Sequence, residues 1–262
     1  MQSLLEARIS VDYPNRPDVL SDLELDLAPG EITGLMGESG SGKSTLAMAL
    51  LRLLEAKGGK VRGAVRFQGR NLLELSAGDM RRIRGRDIGL VLQSPLSALN
   101  PAMRIGRQIE EAWKAHRDGK PDSLELLDMV NLPPEPAFLD RYPRQLSVGQ
   151  AQRVLIAMAI IHRPPLLIAD EATSALDVVT QSEILDLFAR LNRHLGMSIL
   201  YISHDLLSVA SLCHRIAILR HGRIVEANSC DEIFRRPRHE YTRALLAAMP
   251  RVPQSDKLSS VA

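Results

Sequence analysis

The stretch GESGSGKST, Gly37 to Thr45, sets glycines and hydroxyl residues around a single lysine. The preceding EITGLM (31–36) is apolar enough for a strand, and the following LAMALLRLLEA (46–56) reads as a helix. A flexible turn would account for the glycines but not for the lysine and hydroxyl together. The run from Gly37 to Ser44 satisfies G-x-x-x-x-G-K-[ST], and its strand-loop-helix setting supplies the required context. Glycine lets the backbone turn where a Cβ would clash. Successive N–H groups then point inward around an anion. The start of the next helix adds unpaired donors and a positive dipole end. In such a cradle Lys43 reaches the β- and γ-phosphates, and the Ser44 hydroxyl is placed for Mg2+.

A matching second piece is LLIAD (166–170), an apolar strand ending in Asp170, followed by Glu171. Asp170 is suited to hold Mg2+, directly or through water. Glu171 is suited to orient or deprotonate a water attacking the γ-phosphorus. An Asp-Glu pair after a strand can equally cap a helix, so its meaning comes from the phosphate loop. Gln93 closes the apolar IGLVLQ (88–93) and His204 closes MSILYISH (197–204). Side chains leaving the C-terminal ends of parallel strands converge on one crevice.

Farther out, ARISVDY and LELDL alternate apolar and polar residues as half-buried strands do. VRGAVRFQG (61–69) adds another short strand, and DMRRIRGR (79–86) is a basic helix candidate. Between about 95 and 160 the pattern becomes helical, with IGRQIEEAWKAHR, SLELLDMV and VGQAQRVLIAMAIIHR separated by proline breaks. After Glu171, helix TQSEILDLFARLNRHLG, strand MSILYISH and helix LLSVASLC alternate, then RIAILRHGRIVEA forms a hairpin around His221-Gly222. The expectation is an α/β fold: a phosphate-loop core with a mostly parallel sheet, an N-terminal antiparallel β region and an inserted helical subdomain. Residues 1–250 are expected to form one domain, with 251–262 as a flexible tail.

Composition narrows the function classes. The chain has 262 residues, is 45% apolar and 24% charged, and carries a net charge of +2. That balance does not suggest a dedicated nucleic-acid binder. The cluster Arg81, Arg82, Arg84 and Arg86 has no interleaved aromatics and is expected to be a solvated helix face. Cys213 and Cys230 are too few for a disulfide framework. The start of the chain shows no secretion signal, and no run reaches the roughly 20 apolar residues that span a bilayer. Work at a membrane would need another component to hold the chain there.

These residues resemble the ATP-binding cassette ATPases over nearly the whole chain. LSVGQ, comprising Leu146, Ser147, Val148, Gly149 and Gln150, resembles the family signature LSGGQ. SALD, comprising Ser174, Ala175, Leu176 and Asp177, resembles the dimer-facing loop. The resemblance implies that ATP is held by Gly37, Glu38, Ser39, Gly40, Ser41, Gly42, Lys43, Ser44 and Thr45. It makes Tyr13 a candidate for stacking on adenine, although a strand tyrosine also serves simple packing. It implies catalytic roles for Glu171, His204 and Gln93, and a Mg2+ set of Ser44, Gln93 and Asp170. QSPLSALNP (93–101), RYPRQLS and EYTRALLAAMP are similar to segments of dipeptide, oligopeptide and nickel importers. Many of those carry a C-terminal cysteine-rich segment for an iron–sulfur cluster, which is not expected here.

By resemblance, two such ATPases pack head to tail, each signature completing the other's nucleotide site. The helical insertion then docks two membrane permease subunits, served by an extracytoplasmic substrate-binding protein. The chain would sit peripherally on the cytoplasmic face of the bacterial inner membrane. No nucleic-acid partner is expected. A non-transport ATPase of this superfamily, or a structural subunit of a soluble complex, is the rival reading. Val148 stands where glycine is usual. It is costly if the backbone there needs a positive φ, and tolerated if it needs only a compact helical turn. A site weakened on one side only is easier to tolerate, so a non-identical partner ATPase is favoured.

Overall fold

The computed structural model describes residues 3–248; the expected tail at 251–262 lies outside them. A six-stranded sheet runs in the order β10-β9-β3-β8-β7-β6. Its parallel strands are β3 (Ile32–Met36), β6 (Ile88–Val91), β7 (Leu166–Asp170), β8 (Ser198–Ile202) and β9 (Arg215–Arg220). The edge strand β10 (Arg223–Ser229) returns antiparallel to β9 through the turn at His221-Gly222. Every residue of β3 and β8 is buried, as expected for parallel strands covered on both faces.

A second sheet of four strands runs β2-β1-β4-β5. It is antiparallel throughout and comprises β1 (Leu5–Tyr13), β2 (Arg16–Leu27), β4 (Lys60–Phe67) and β5 (Arg70–Asn71). In β1, Leu5, Ala7, Ile9 and Val11 are buried, so the alternation in the sequence marks one inward face. Gly63 sits at φ +104, where a Cβ would lie 2.0 Å from the Arg8 carbonyl oxygen, so only glycine lets β4 approach β1 there.

The helices are α1 (Lys43–Leu50), α2 (Ala77–Ile83), α3 (Pro95–Ala98), α4 (Ile105–Lys114), α5 (Ser123–Met129) and α6 (Pro136–Leu139). They continue with α7 (Val148–Ile160), α8 (Val178–Leu195), α9 (Leu206–Leu212), α10 (Cys230–Arg235) and α11 (Glu240–Ala247). The helices α3 to α7 all fall between β6 and β7.

The main sheet divides two apolar cores. In β7, Leu167 and Ala169 face one core, while Leu166 and Ile168 face the other. The second core joins Leu46 and Leu50 of α1 to Leu5 and Ile9 of the antiparallel sheet. The first joins Ile199 and Tyr201 of β8 to Ile105, Leu127, Phe138 and Val154 of the inserted helices. The insertion therefore shares its core with the sheet that carries the site.

Arg84 departs from the expectation of a solvated basic face. Its guanidinium donates to the carbonyls of Leu51 (2.7 Å) and Arg52 (2.9 Å), at the end of α1. Helix C-termini leave carbonyls unpaired, and a cation there is favoured. Arg81, Arg82 and Arg86 are exposed as expected.

Phe138 is wholly buried in the first core. Phe138→Ala is expected to cost about 3–5 kcal/mol of stability, read from urea unfolding. A loss well under 1 kcal/mol would mean the inserted helices are not packed as described.

Candidate functional site

The phosphate loop links β3 to α1, and its shape depends on missing side chains. A Cβ on Gly37 would lie 2.2 Å from the Leu219 carbonyl oxygen, and Gly42 sits at φ +112 as the N-cap of α1. Lys43 is 5% exposed. Its ammonium donates to the carbonyls of Gly37 (2.8 Å) and Glu38 (2.9 Å), so the loop closes around its own lysine. Burial pushes the Lys43 ammonium below its ordinary pKa, while the charges of Glu171 and Asp170 act in the opposite direction. The backbone N–H groups of Gly40, Gly42, Lys43 and Ser44 find no protein acceptor among the described residues. These free donors, beside a buried cation and a helix start, form a cradle suited to phosphate oxygens.

The ends of β7 and β8 bring the carboxylates and the histidine together. Ser44 Oγ donates to Asp170 Oδ1 at 3.2 Å. Burial raises the Asp170 pKa; the Ser44 hydrogen bond and Lys43 pull it down, and Glu171 adds to the rise. Glu171 stands in the left-handed region at φ +48 while its N–H donates to the Ile202 carbonyl at 2.9 Å. Such a conformation costs a non-glycine residue energy and is concentrated at functional sites. The Gln93 amide donates to Glu171 Oε2 (3.0 Å) and to Ser174 Oγ (3.1 Å). His204 Nδ1 lies 3.5 Å from Glu171 Oε1. The carboxylate is thus flanked on both oxygens. It can accept a proton from a bound water, with Gln93 and His204 fixing its direction.

A cleft of about 380 Å³ opens over the loop, lined by Ser39, Gly40, Gly42, Lys43, Ser44, Thr45, Gln93 and Glu171. Glu38 and Ser41 face a neighbouring hollow behind the loop, and Gly37 packs against Leu219. Arg16 and Val19 also line the cleft. Tyr13 does not: it lies at the β1–β2 turn, paired with Arg16 and packed at the edge of the second core beside Gly59. The sequence carried no signal for Arg16, because only the hairpin register brings it to the loop.

Leu146, Ser147, Val148, Gly149 and Gln150 lie elsewhere, at the start of α7. Ser147 Oγ accepts the Gln150 N–H, and Gln150 Oε1 accepts the Ser147 N–H, each at 3.1 Å. This reciprocal cap fixes the helix start. Val148 is the first helical residue and is not among the positive-φ positions. Of the two alternatives for Val148, the compact helical turn is the one present, and the branched side chain strains no backbone. Gly149 sits against α8, where a Cβ would lie 2.6 Å from Thr180 Cγ2. Ser174 and Ala175 are exposed and Leu176 half-buried, and Asp177 caps α8 through the N–H groups of Val179 and Thr180.

Residues 20–174 match the model of the family described as ABC transporter. The chain belongs to the ABC transporter family. Residues 225–262 match a second model, the oligopeptide/dipeptide transporter C-terminal region. The chain is 43% identical, over 94% of its length and 77% of the relative's, to a protein of Brucella abortus (strain 2308) named "Putative peptide import ATP-binding protein". It is 42% identical to the glutathione import ATP-binding protein GsiA of Salmonella typhimurium (strain LT2), over 90% of this chain and 40% of that one. Among solved structures, the dimeric ATP-binding cassette MJ0796 bound to ADP and Pi superimposes with TM-score 0.73 at 28% identity, covering 86% of this chain and 98% of that one. The α/β phosphate-loop fold expected from the sequence is therefore the fold present. This subunit binds and hydrolyses ATP and is related to the peptide and oligopeptide importers.

Glu171→Gln keeps size and hydrogen bonding but accepts no proton near neutrality. Hydrolysis is expected to fall about 10²–10⁴-fold with ATP binding retained. Single-turnover hydrolysis measures this, and an undiminished rate would remove Glu171 from the role of base.

Proposed function

We propose that this chain powers a bacterial importer by hydrolysing ATP at a site completed by a second, non-identical ATPase subunit. The carrying observation is the separation of its motifs. The phosphate loop, Gln93 and Glu171 line one cleft, and the LSVGQ residues are not part of that lining. A signature outside its own cleft is free to meet the nucleotide of another subunit. Apolar exposure supports a covered face on this side: Val148 is 39% exposed, Val178 82% and Val179 70%. Single exposed apolar residues mean little, but these flank the signature and the SALD loop.

In this reading residues 1–250 act as one cassette unit, with the helices at about 95–160 inserted in it. ATP lies on the free N–H groups of the loop, and Lys43 keeps its two loop carbonyls while its remaining N–H reaches the phosphate oxygens. Glu171 takes the proton of the attacking water while Gln93 and His204 orient it. Mg2+ fits Ser44 and Asp170, with Gln93 as a further oxygen donor, and would neutralise phosphate charge there.

Two permease subunits are the proposed recipients of the work, fed by an extracytoplasmic binding protein. Leu92 and Leu96, exposed on either side of Gln93, support a docking surface linked to the nucleotide site. No helix among the described residues is long and apolar enough to cross a membrane. The proposed position is peripheral, on the cytoplasmic face of the inner membrane. The cargo class is peptide or nickel, and the names of the relatives favour peptide.

Lys43→Ala is expected to weaken ATP binding and abolish hydrolysis at this chain's loop, by removing the buried cation. Unchanged ATP affinity in a folded K43A protein would sink the phosphate-cradle assignment. In the assembled transporter, Val148→Gly is expected to raise or leave unchanged hydrolysis at the partner's loop and not to alter this chain's. The measurement is site-resolved hydrolysis with the opposite site disabled by its own lysine substitution. A change confined to the nucleotide held by Lys43 would overturn the head-to-tail arrangement, and full transport by a homodimer would overturn the non-identical partner.

A further inference from the structure

The peptide unit between Gly37 and Glu38 is held at both of its polar ends. Its carbonyl oxygen accepts from Lys43 Nζ at 2.8 Å. Its N–H donates to the Tyr241 hydroxyl at 3.2 Å. Tyr241 lies on α11, more than 200 residues away in sequence. We propose that Tyr241 is a positioning residue for nucleotide binding, fixing the peptide plane that presents an acceptor to Lys43.

The need for such a brace follows from the loop's composition. Gly37 has no Cβ, so its own torsions resist rotation weakly. A peptide is planar, and flipping it exchanges its carbonyl oxygen with its N–H. A flip here would take an acceptor from the buried ammonium and leave a donor facing a cation. The Tyr241 hydroxyl opposes that flip by accepting from the N–H.

The tyrosine is itself well fixed. It is 7% exposed, and the Arg220 guanidinium stands 4.7 Å from its ring centroid. Arg220 in turn lies 3.6 Å from Glu240. The start of α11 is tied to β10, since the Glu226 carboxylate accepts the N–H groups of Arg238 (2.8 Å) and His239 (3.0 Å). His239 Nδ1 accepts the Tyr241 N–H at 3.1 Å. Gly222, in the β9–β10 turn, pins the same loop by donating its N–H to the Ser41 carbonyl at 3.2 Å. Tyr241 falls within the match to the oligopeptide/dipeptide transporter C-terminal region, which starts at residue 225. Through Tyr241 the described part of that region thus stands against the phosphate loop.

Tyr241→Phe tests this, because it removes the hydroxyl and leaves the ring against Arg220. The dissociation constants for ATP and ADP are expected to rise about three- to tenfold, the range of one hydrogen bond. The turnover number should stay near wild type while KM rises. Competition by AMP, which lacks the phosphates that Lys43 reaches, should be unaltered. In a Lys43→Ala background, Tyr241→Phe should have no further effect on ATP affinity, since the two act through one peptide. Unchanged ATP affinity in Y241F would overturn the proposal. Equal weakening of AMP and ATP, or effects of Y241F and K43A that simply add, would overturn it too. Failure of K43A alone to weaken ATP would instead refute the phosphate assignment of the loop and is read separately.

Discussion

A buried lysine ammonium with no carboxylate in direct contact is the constraint around which this molecule is arranged. Taking a charge from water is costly unless hydrogen bonds replace the hydration. Lys43 meets that cost with two carbonyls of its own loop, those of Gly37 and Glu38. Those carbonyls can turn inward only because the loop lacks side chains where the backbone passes Leu219 and Leu20. The same turn leaves backbone N–H groups without protein partners. The loop is therefore satisfied around its cation and unsatisfied toward an anion, which is a state that a polyphosphate completes.

The rest of the site follows from strand order. With β3 beside β8 and β8 beside β7, the C-terminal ends of three adjacent parallel strands carry the loop, His204 and Glu171. Behind them lies a buried polar chain. Tyr201 Oη is 2.9 Å from Thr173 Oγ1 and donates to Ser208 Oγ at 3.2 Å, and Ser203 Oγ lies 3.3 Å from that of Ser208. Thr173 follows Glu171 by two positions and Ser203 precedes His204. A satisfied buried network is stiff, so the segments bearing the carboxylate and the histidine are fixed to each other from beneath.

Local sequence carried the fold well. The phosphate loop, the Asp170 strand and the His221-Gly222 hairpin were legible because glycine, proline and apolar runs mark them within a few residues. His221 and Gly222 do take positive φ, 47° and 77°. What was not legible depends on distance. Arg84 read as surface charge, yet it serves the end of α1, some thirty residues earlier in the chain. Arg16 reaches the cleft only through the β1–β2 register, and that register leaves Tyr13 outside the lining. Tyr241 resembled a family segment with no visible task, because its partner is a backbone N–H, which leaves no mark in the sequence. Val148 could not be judged at all until its φ was known.

The first turn of α8 joins elements that the sequence presents as separate motifs. Asp177 accepts from the N–H groups of Val179 and Thr180 and from the Thr180 hydroxyl at 2.7 Å, so the SALD segment ends in a rigid cap. The Thr180 methyl fills the place where Gly149 has no Cβ, which sets the signature helix directly on that cap. One residue on, Gln181 donates to Asp205 Oδ2 at 2.7 Å, and Asp205 caps α9 immediately after His204. A displacement of α8 would move the signature, the SALD loop and the histidine segment together, since each is held to it by a short contact. Gln93 reaches the same assembly through Ser174 while also holding Glu171, and beyond Gln93 the chain enters the inserted helices. Gln93 thus joins the carboxylate of Glu171 to the chain segment that leads into the helical insertion.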